Sequence, residues 1–136
     1  MGKVINFLLF NGIAEEAILF YTSLFRDSAN SSIACYDDPA TELSGKIRHC
    51  LFVPKVQEFL GMDNSSKPGY AFTPAVSFLV RCEEEEEVNI YFEAISKGGK
   101  IYMPLGSYPF CKKFGWVEDK YGLSWQLHWG KISEGD

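Results

Sequence analysis

Apolar and polar residues alternate almost strictly between Leu123 and Trp129. Leu123, Trp125, Leu127 and Trp129 take one side, and Ser124, Gln126 and His128 take the other. A period of two with β-favouring side chains predicts a half-buried strand. Upstream, Phe110 to Val117 is aromatic and partly alternating, and Glu118 to Gly122 is a polar turn. The two runs together predict an antiparallel hairpin. The polar side of its second strand carries a glutamine, and what that side looks at is the central question of the chain.

Taken from its start, the chain repeats one pattern. Val4 to Phe10 predicts a strand with Asn6, Leu8 and Phe10 on one face. Ile13, Ala17, Phe20, Tyr21, Leu24 and Phe25 recur at three and four, which predicts an amphipathic helix with Glu15 and Glu16 in its first turn. Ser31 to Tyr36 predicts a short strand, and the polar, proline-containing stretch from Asp37 to Ser44 a loop. Lys46 to Val53 alternates, with Ile47, His49, Leu51 and Val53 on one face; Pro54-Lys55 is a turn, and Val56 to Met62 is the next strand. Asp63 to Gly69 is the most loop-like stretch. The pattern then restarts. Pro74 to Arg81 predicts a strand, and Glu83 to Lys97 a helix with Val88, Tyr91, Phe92 and Ile95 as its apolar stripe. Gly98-Gly99 stops that helix, Lys100 to Pro104 is a strand, and the aromatic hairpin closes the series.

The order is therefore β-α-β-β-β twice, an α+β chain. The modules span 1–62 and 72–130, joined by a loop at 63–71, within a single domain 1–136. Neither module can bury both a sheet face and a helix alone. Side by side, they predict a curved, open-barrel mixed sheet with helices outside and a cleft inside.

Bulk properties narrow the function. At 136 residues the chain suits one domain. A net charge of −5 and no basic patch beyond Lys112-Lys113 argue against nucleic acid and anionic membranes. The apolar run near the N-terminus is too short to span a bilayer and lacks a cleavage site. Four cysteines, Cys35, Cys50, Cys82 and Cys111, are widely spaced without a CxxC, which favours reduced thiols and a cytoplasmic protein.

Several stretches together resemble a known family: FNGIAEEAILFYTSLF (Phe10 to Phe25), GKIRH (Gly45 to His49), FTPAVSFLV (Phe72 to Val80) and MPLGSYPFCKKFGWVEDKYGLSWQL (Met103 to Leu127). They are similar to the vicinal oxygen chelate superfamily, which includes glyoxalase I, bleomycin-resistance proteins and extradiol dioxygenases. Within it they most resemble the PhnB-like subgroup, which carries the name 3-demethylubiquinone-9 3-methyltransferase. The resemblance implies a divalent metal held by inner-face side chains of four strands. It puts the first ligand position at Asn6 and the last at Gln126, where metal-dependent members have Glu. The third falls near Ala75, where a His is expected, and His49 is the nearest candidate for the remaining one. Two amides, an alanine and one imidazole are a poor set for a divalent ion. The expectation is a protein without metal or other cofactor, a divalent metal being the alternative. The resemblance also implies a homodimer.

Each candidate has a plainer reading. Asn6 and Gln126 either orient a ligand or satisfy each other or water. His49 is a general base, a ligand contact or a satisfied strand histidine. Phe114 and Trp116 are the better pocket walls, while Trp125 belongs to packing, on the side opposite Gln126. His128 is expected at the surface. Cys50 and Cys111 lack an activating partner and are expected to be inert. Glu83 to Glu87 complements a helix dipole. The leading expectation is a small-molecule-binding protein with a cleft lined by Asn6, His49, Phe114, Trp116 and Gln126, and with no complete catalytic constellation. The alternatives are a metal-dependent glyoxalase-like lyase or dioxygenase and, disfavoured, methyl transfer. The last lacks a glycine-rich cofactor loop, since Gly98-Gly99 ends a helix instead of starting one.

Overall fold

The computed structural model describes residues 2, 4–25, 29–35, 47–53, 58–63 and 71–131. They form two compact units, 1–70 and 71–136. The first holds β1 (Asn6–Phe10), α1 (Ala14–Leu24), β2 (Ala29–Cys35), β3 (Ile47–Val53) and β4 (Phe59–Asp63). The second holds β5 (Ser77–Cys82), α2 (Glu85–Ser96), β6 (Lys100–Tyr108), β7 (Cys111–Glu118) and β8 (Ser124–Lys131). Each unit is thus a βαβββ module with its own four-stranded sheet. The orders β1-β4-β3-β2 and β5-β8-β7-β6 are the same arrangement. In both, the first strand pairs in parallel with the last, and the remaining pairs are antiparallel. The loops expected at 37–44 and 64–69 and the Pro54-Lys55 turn lie outside the described residues.

In the first unit the buried side of β1 carries Leu8 and Phe10, in parallel register with Gly61 and Asp63 of β4. Helix α1 buries Ala14, Ala17, Ile18 and Tyr21. Its cap residue, Ile13, offers no side-chain acceptor. Asp63 supplies one from the far end of the module. Its Oδ1 accepts from the backbone N–H groups of Gly12 and Ala14, both at 2.9 Å. A helix start leaves such donors unpaired, and a carboxylate there also meets the positive end of the dipole. Asp63, expected in a loop, is instead the last residue of β4 and fully buried.

In the second unit, β8 is central between β5 and β7. Leu123, Trp125 and Leu127 are buried, as are Val88, Tyr91 and Ile95 of α2. A Cβ at Gly115 would stand 2.6 Å from the Phe92 ring of α2, so this β7 position can only be glycine if the helix is to lie this close. Burying three large side chains contributes roughly 2 kcal/mol apiece. The Lys113–Glu85 ion pair, at 3.1 Å and partly exposed, adds a few tenths of a kcal/mol by comparison. Packing therefore outweighs this ion pair in holding α2. Gly98, at φ 79°, ends it, and the N–H of Gly99 donates to the Ser96 carbonyl.

The hairpin turn is tied by Asp119, which is 2 % exposed. Its Oδ1 accepts from the N–H groups of Tyr121 and Leu123, and its Oδ2 from Trp125 Nε1 at 2.9 Å. The strand expected to end at Pro104 runs on to Tyr108. It is an edge strand, and its pairing with β7 shifts register between Met103 and Gly106, so the proline is accommodated where the ladder is already interrupted.

The Asp63 contacts give a test. Asp63→Ala leaves two backbone donors without their acceptor and lowers unfolding free energy by about 2 kcal/mol. Asp63→Asn, which keeps an oxygen in place, costs less. Urea unfolding of the two variants checks the order.

Candidate functional site

The two faces of the second sheet differ in kind. The position of Gly115 under Phe92 identifies the helix side, which also carries Val117, Trp125 and Leu127 through the β7–β8 register. The opposite, open side carries Phe114, Trp116 and Glu118 of β7 facing His128, Gln126 and Ser124 of β8. Ser77, Leu79 and Arg81 of β5 follow on that side, in register with Ser124, Gln126 and His128.

Gln126 occupies the middle of this open face. It is half-buried between Trp116 on one neighbouring strand and Leu79, itself 49 % exposed, on the other. Its carboxamide makes no hydrogen bond within the described residues. Trp116, by contrast, is fixed. Its Nε1 donates to Ser124 Oγ at 2.8 Å, and that hydroxyl shares a 2.6 Å hydrogen bond with Ser77 Oγ. The Tyr102 ring packs against the indole at 5.2 Å with a tilt of 46°. Tyr102 donates its hydroxyl proton to Glu118 Oε1. That hydrogen bond, then burial and the charge of the carboxylate, raise the Tyr102 pKa above its usual 10, so the phenol stays neutral at physiological pH. Phe114 is buried in a cluster with Tyr108 and Phe110, whose rings meet it edge-on at 5.8 and 4.9 Å.

The expected site residues therefore divide. Phe114, Trp116 and Gln126 come together on one open face. Asn6 lies in the first unit, on the β1 face of Leu8 and Phe10. That is the face where Asp63 receives the start of α1, so Asn6 is on the helix-bearing side of its sheet while Gln126 is on the helix-free side of its own. The physical reason is phase. In β1 the even-numbered positions take the helix side, and in β8 the odd-numbered ones do. His49 lies in β3 in register with Ala34; its side chain is outside the described residues. His128, expected at the surface, is half-buried on the open face. Sequence reading passed over Ser77, Arg81 and Tyr102. Ser77 and Arg81 share the odd parity of Leu79 on β5, which is the signal that would have found them; Tyr102 sits on an irregular strand and offers none.

Cys111 is fully buried and donates its thiol to the carbonyls of Lys113 and Trp129. Such a thiol is a packed hydrogen-bond donor and not a nucleophile. Among the described residues no three His, Cys, Asp or Glu side chains cluster as metal ligands. No described helix is long and apolar enough to cross a membrane.

The family model for 3-demethylubiquinone-9 3-methyltransferase matches residues 2–128. The chain belongs to that family. A PhnB protein from Bacillus cereus is 48 % identical, with a TM-score of 0.90 over 95 % of this chain and 100 % of that one. A Pseudomonas aeruginosa protein is 23 % identical, with a TM-score of 0.82 over 97 % and 100 % of the two chains. The fosfomycin resistance protein FosX from Listeria monocytogenes, solved with Mn(II) and sulfate, has the fold at 14 % identity and a TM-score of 0.63 over 96 % and 91 %. No curated protein matches the sequence. These likenesses place the PhnB-like chain in the vicinal oxygen chelate superfamily, with its α+β fold of two βαβββ modules.

The indole anchor is testable. Ser124→Ala removes the acceptor of Trp116 Nε1–H and costs about 1 kcal/mol of stability. It also changes the near-ultraviolet circular dichroism of the indole, with Trp116→Phe as the blank. An unaltered tryptophan signal would show that the hydrogen bond does not fix the ring.

Proposed function

We propose that this PhnB-like chain binds a small aromatic molecule on the open face of the second sheet, without a catalytic metal. One observation carries the reading: Gln126, half-buried and unpaired within the described residues, stands between a fixed indole and an exposed leucine. Mostly apolar walls with one convergent polar group are the usual make-up of a small-molecule site. A carboxamide both donates and accepts, so it can orient a ligand that carries an amide, hydroxyl or carbonyl.

The donor set supports the metal-free part. Beside hydroxyls and an amide, the described residues of this face offer one imidazole, His128, and one carboxylate, Glu118, where a divalent ion wants several such ligands converging, and no three of them cluster. Its one carboxylate, Glu118, already accepts from Tyr102. Methyl transfer, implied by the family name, finds no support in either strand-to-helix turn. At the first, Asp63 takes the backbone donors; at the second, the Glu87 carboxylate accepts from the N–H groups of Glu83 and Glu84. Neither turn welcomes an anionic cofactor group.

The test uses 1-naphthamide as probe, with tryptophan fluorescence as readout. Saturable quenching is expected in the natural sequence, with loss in Trp116→Ala and roughly tenfold weaker binding in Gln126→Ala. Binding unaffected by both substitutions would overturn the reading. Elemental analysis of protein purified without chelator should find metal well below one ion per chain; stoichiometric zinc, nickel, manganese or iron would reinstate the lyase or dioxygenase alternative.

A homodimer in the cytoplasm accords with the family resemblance, with large apolar residues such as Phe7 and Ile101 more than half exposed, and with four widely spaced cysteines that include no CxxC. Light scattering coupled to size exclusion should give twice the 15.4 kDa chain mass; a monomer mass would refute it.

A further inference from the structure

The open face of the second sheet has one feature that the binding site as proposed does not use. Arg81, the last open-side residue of β5, stands in register with His128, two residues beyond the Leu79–Gln126 pair and the next pair on that side. The alternation that buries Val80 and Cys82 on the helix side sends Arg81 to the side of Gln126 and Trp116. Its guanidinium is exposed and makes no ion pair within the described residues. Of the acidic groups close by in sequence, Glu85 pairs with Lys113 on the helix side and Glu87 accepts from the start of α2, and none of Glu83 to Glu87 forms an ion pair with Arg81 within the described residues. Glu118, the carboxylate on the open face, is held by Tyr102 and faces Ser124. Ser124 lies four residues along β8 from His128, about 13 Å at a rise of 3.3 Å per residue.

The open face is therefore polarised. An aromatic end, made by Trp116 and Tyr102 and bounded by the Glu118 carboxylate that accepts from Tyr102, gives way to the Gln126 carboxamide and then to a guanidinium with no ion pair within the described residues. Trp116 and Arg81 lie two strand spacings apart and two residues out of step. Their Cα atoms are thus about 12 Å apart, and the two long side chains shorten that span to the length of a bicyclic aromatic acid. Arginine presents a planar fork of donors that matches a carboxylate with two parallel hydrogen bonds.

The geometry points to an aromatic carboxylate as the ligand class, with its ring on Trp116, its linking polar group on Gln126 and its carboxylate on Arg81. This assignment rests on the reading of the open face as the binding site. It adds the sign and place of the ligand's charge.

The test compares 1-naphthoate with the neutral, isosteric 1-naphthamide by tryptophan fluorescence, in the natural sequence and in Arg81→Gln. Arg81 is exposed, so the substitution should leave the melting temperature unchanged. Naphthoate is expected to bind about tenfold more tightly than the amide, and Arg81→Gln to erase that preference while leaving amide binding in place. Equal affinity for both probes, or a preference that survives Arg81→Gln, overturns the carboxylate assignment and leaves the binding face standing. Saturable binding of neither probe overturns both.

Discussion

The register of β8 between β5 and β7 is the constraint on which the second unit depends. Side chains alternate along a strand, so a slip of one residue would exchange Trp125 and Leu127 with Ser124 and Gln126. The slip would expose two of the largest core residues and push an unpaired amide under α2. Asp119 prevents it by fixing the turn that precedes the strand: one oxygen takes two turn N–H groups, and the other takes the Trp125 indole. The same carboxylate thus shapes the hairpin and orients the buried indole of Trp125. The open face inherits its composition from that choice.

The first unit meets a comparable problem with a different device. Its helix begins without a local cap, and a buried carboxylate from the last strand completes it. Parallel pairing of β1 with β4 brings Asp63 opposite Phe10, just before the helix. Helix, first strand and last strand are therefore fastened at one point. In the second unit α2 begins with its own glutamates instead, and Asp119 is used in the hairpin. Two modules with one strand order thus place their structural carboxylates differently.

Much of this was legible in the chain. Period-three-to-four patterns located both described helices and period-two patterns located strands such as β3 and β8, because amphipathicity follows from the geometry of each element and needs no knowledge of neighbours. The family resemblance was carried by long motifs, above all Met103 to Leu127, and the family match over residues 2–128 agrees with it. The grouping of Phe114, Trp116 and Gln126 was half legible: β8 alternation gave the side of Gln126, but only the β7 pairing put Trp116 directly beside it. The side of Asn6 was not legible. Alternation groups Asn6 with Leu8 and Phe10 but does not say which face a helix will cover.

The sequence by itself determined the α+β class, the twofold βαβββ order and the polar side of the closing strand, since each is set by spacing along the chain. Only the tertiary structure decided that Asp63 starts a helix 49 residues away in sequence, that Ser77 and Ser124 hold the Trp116 indole, and that Arg81 shares a face with Gln126. Those relations depend on which strands become neighbours and in what register, and strand pairing is a contest among distant segments that no local pattern records.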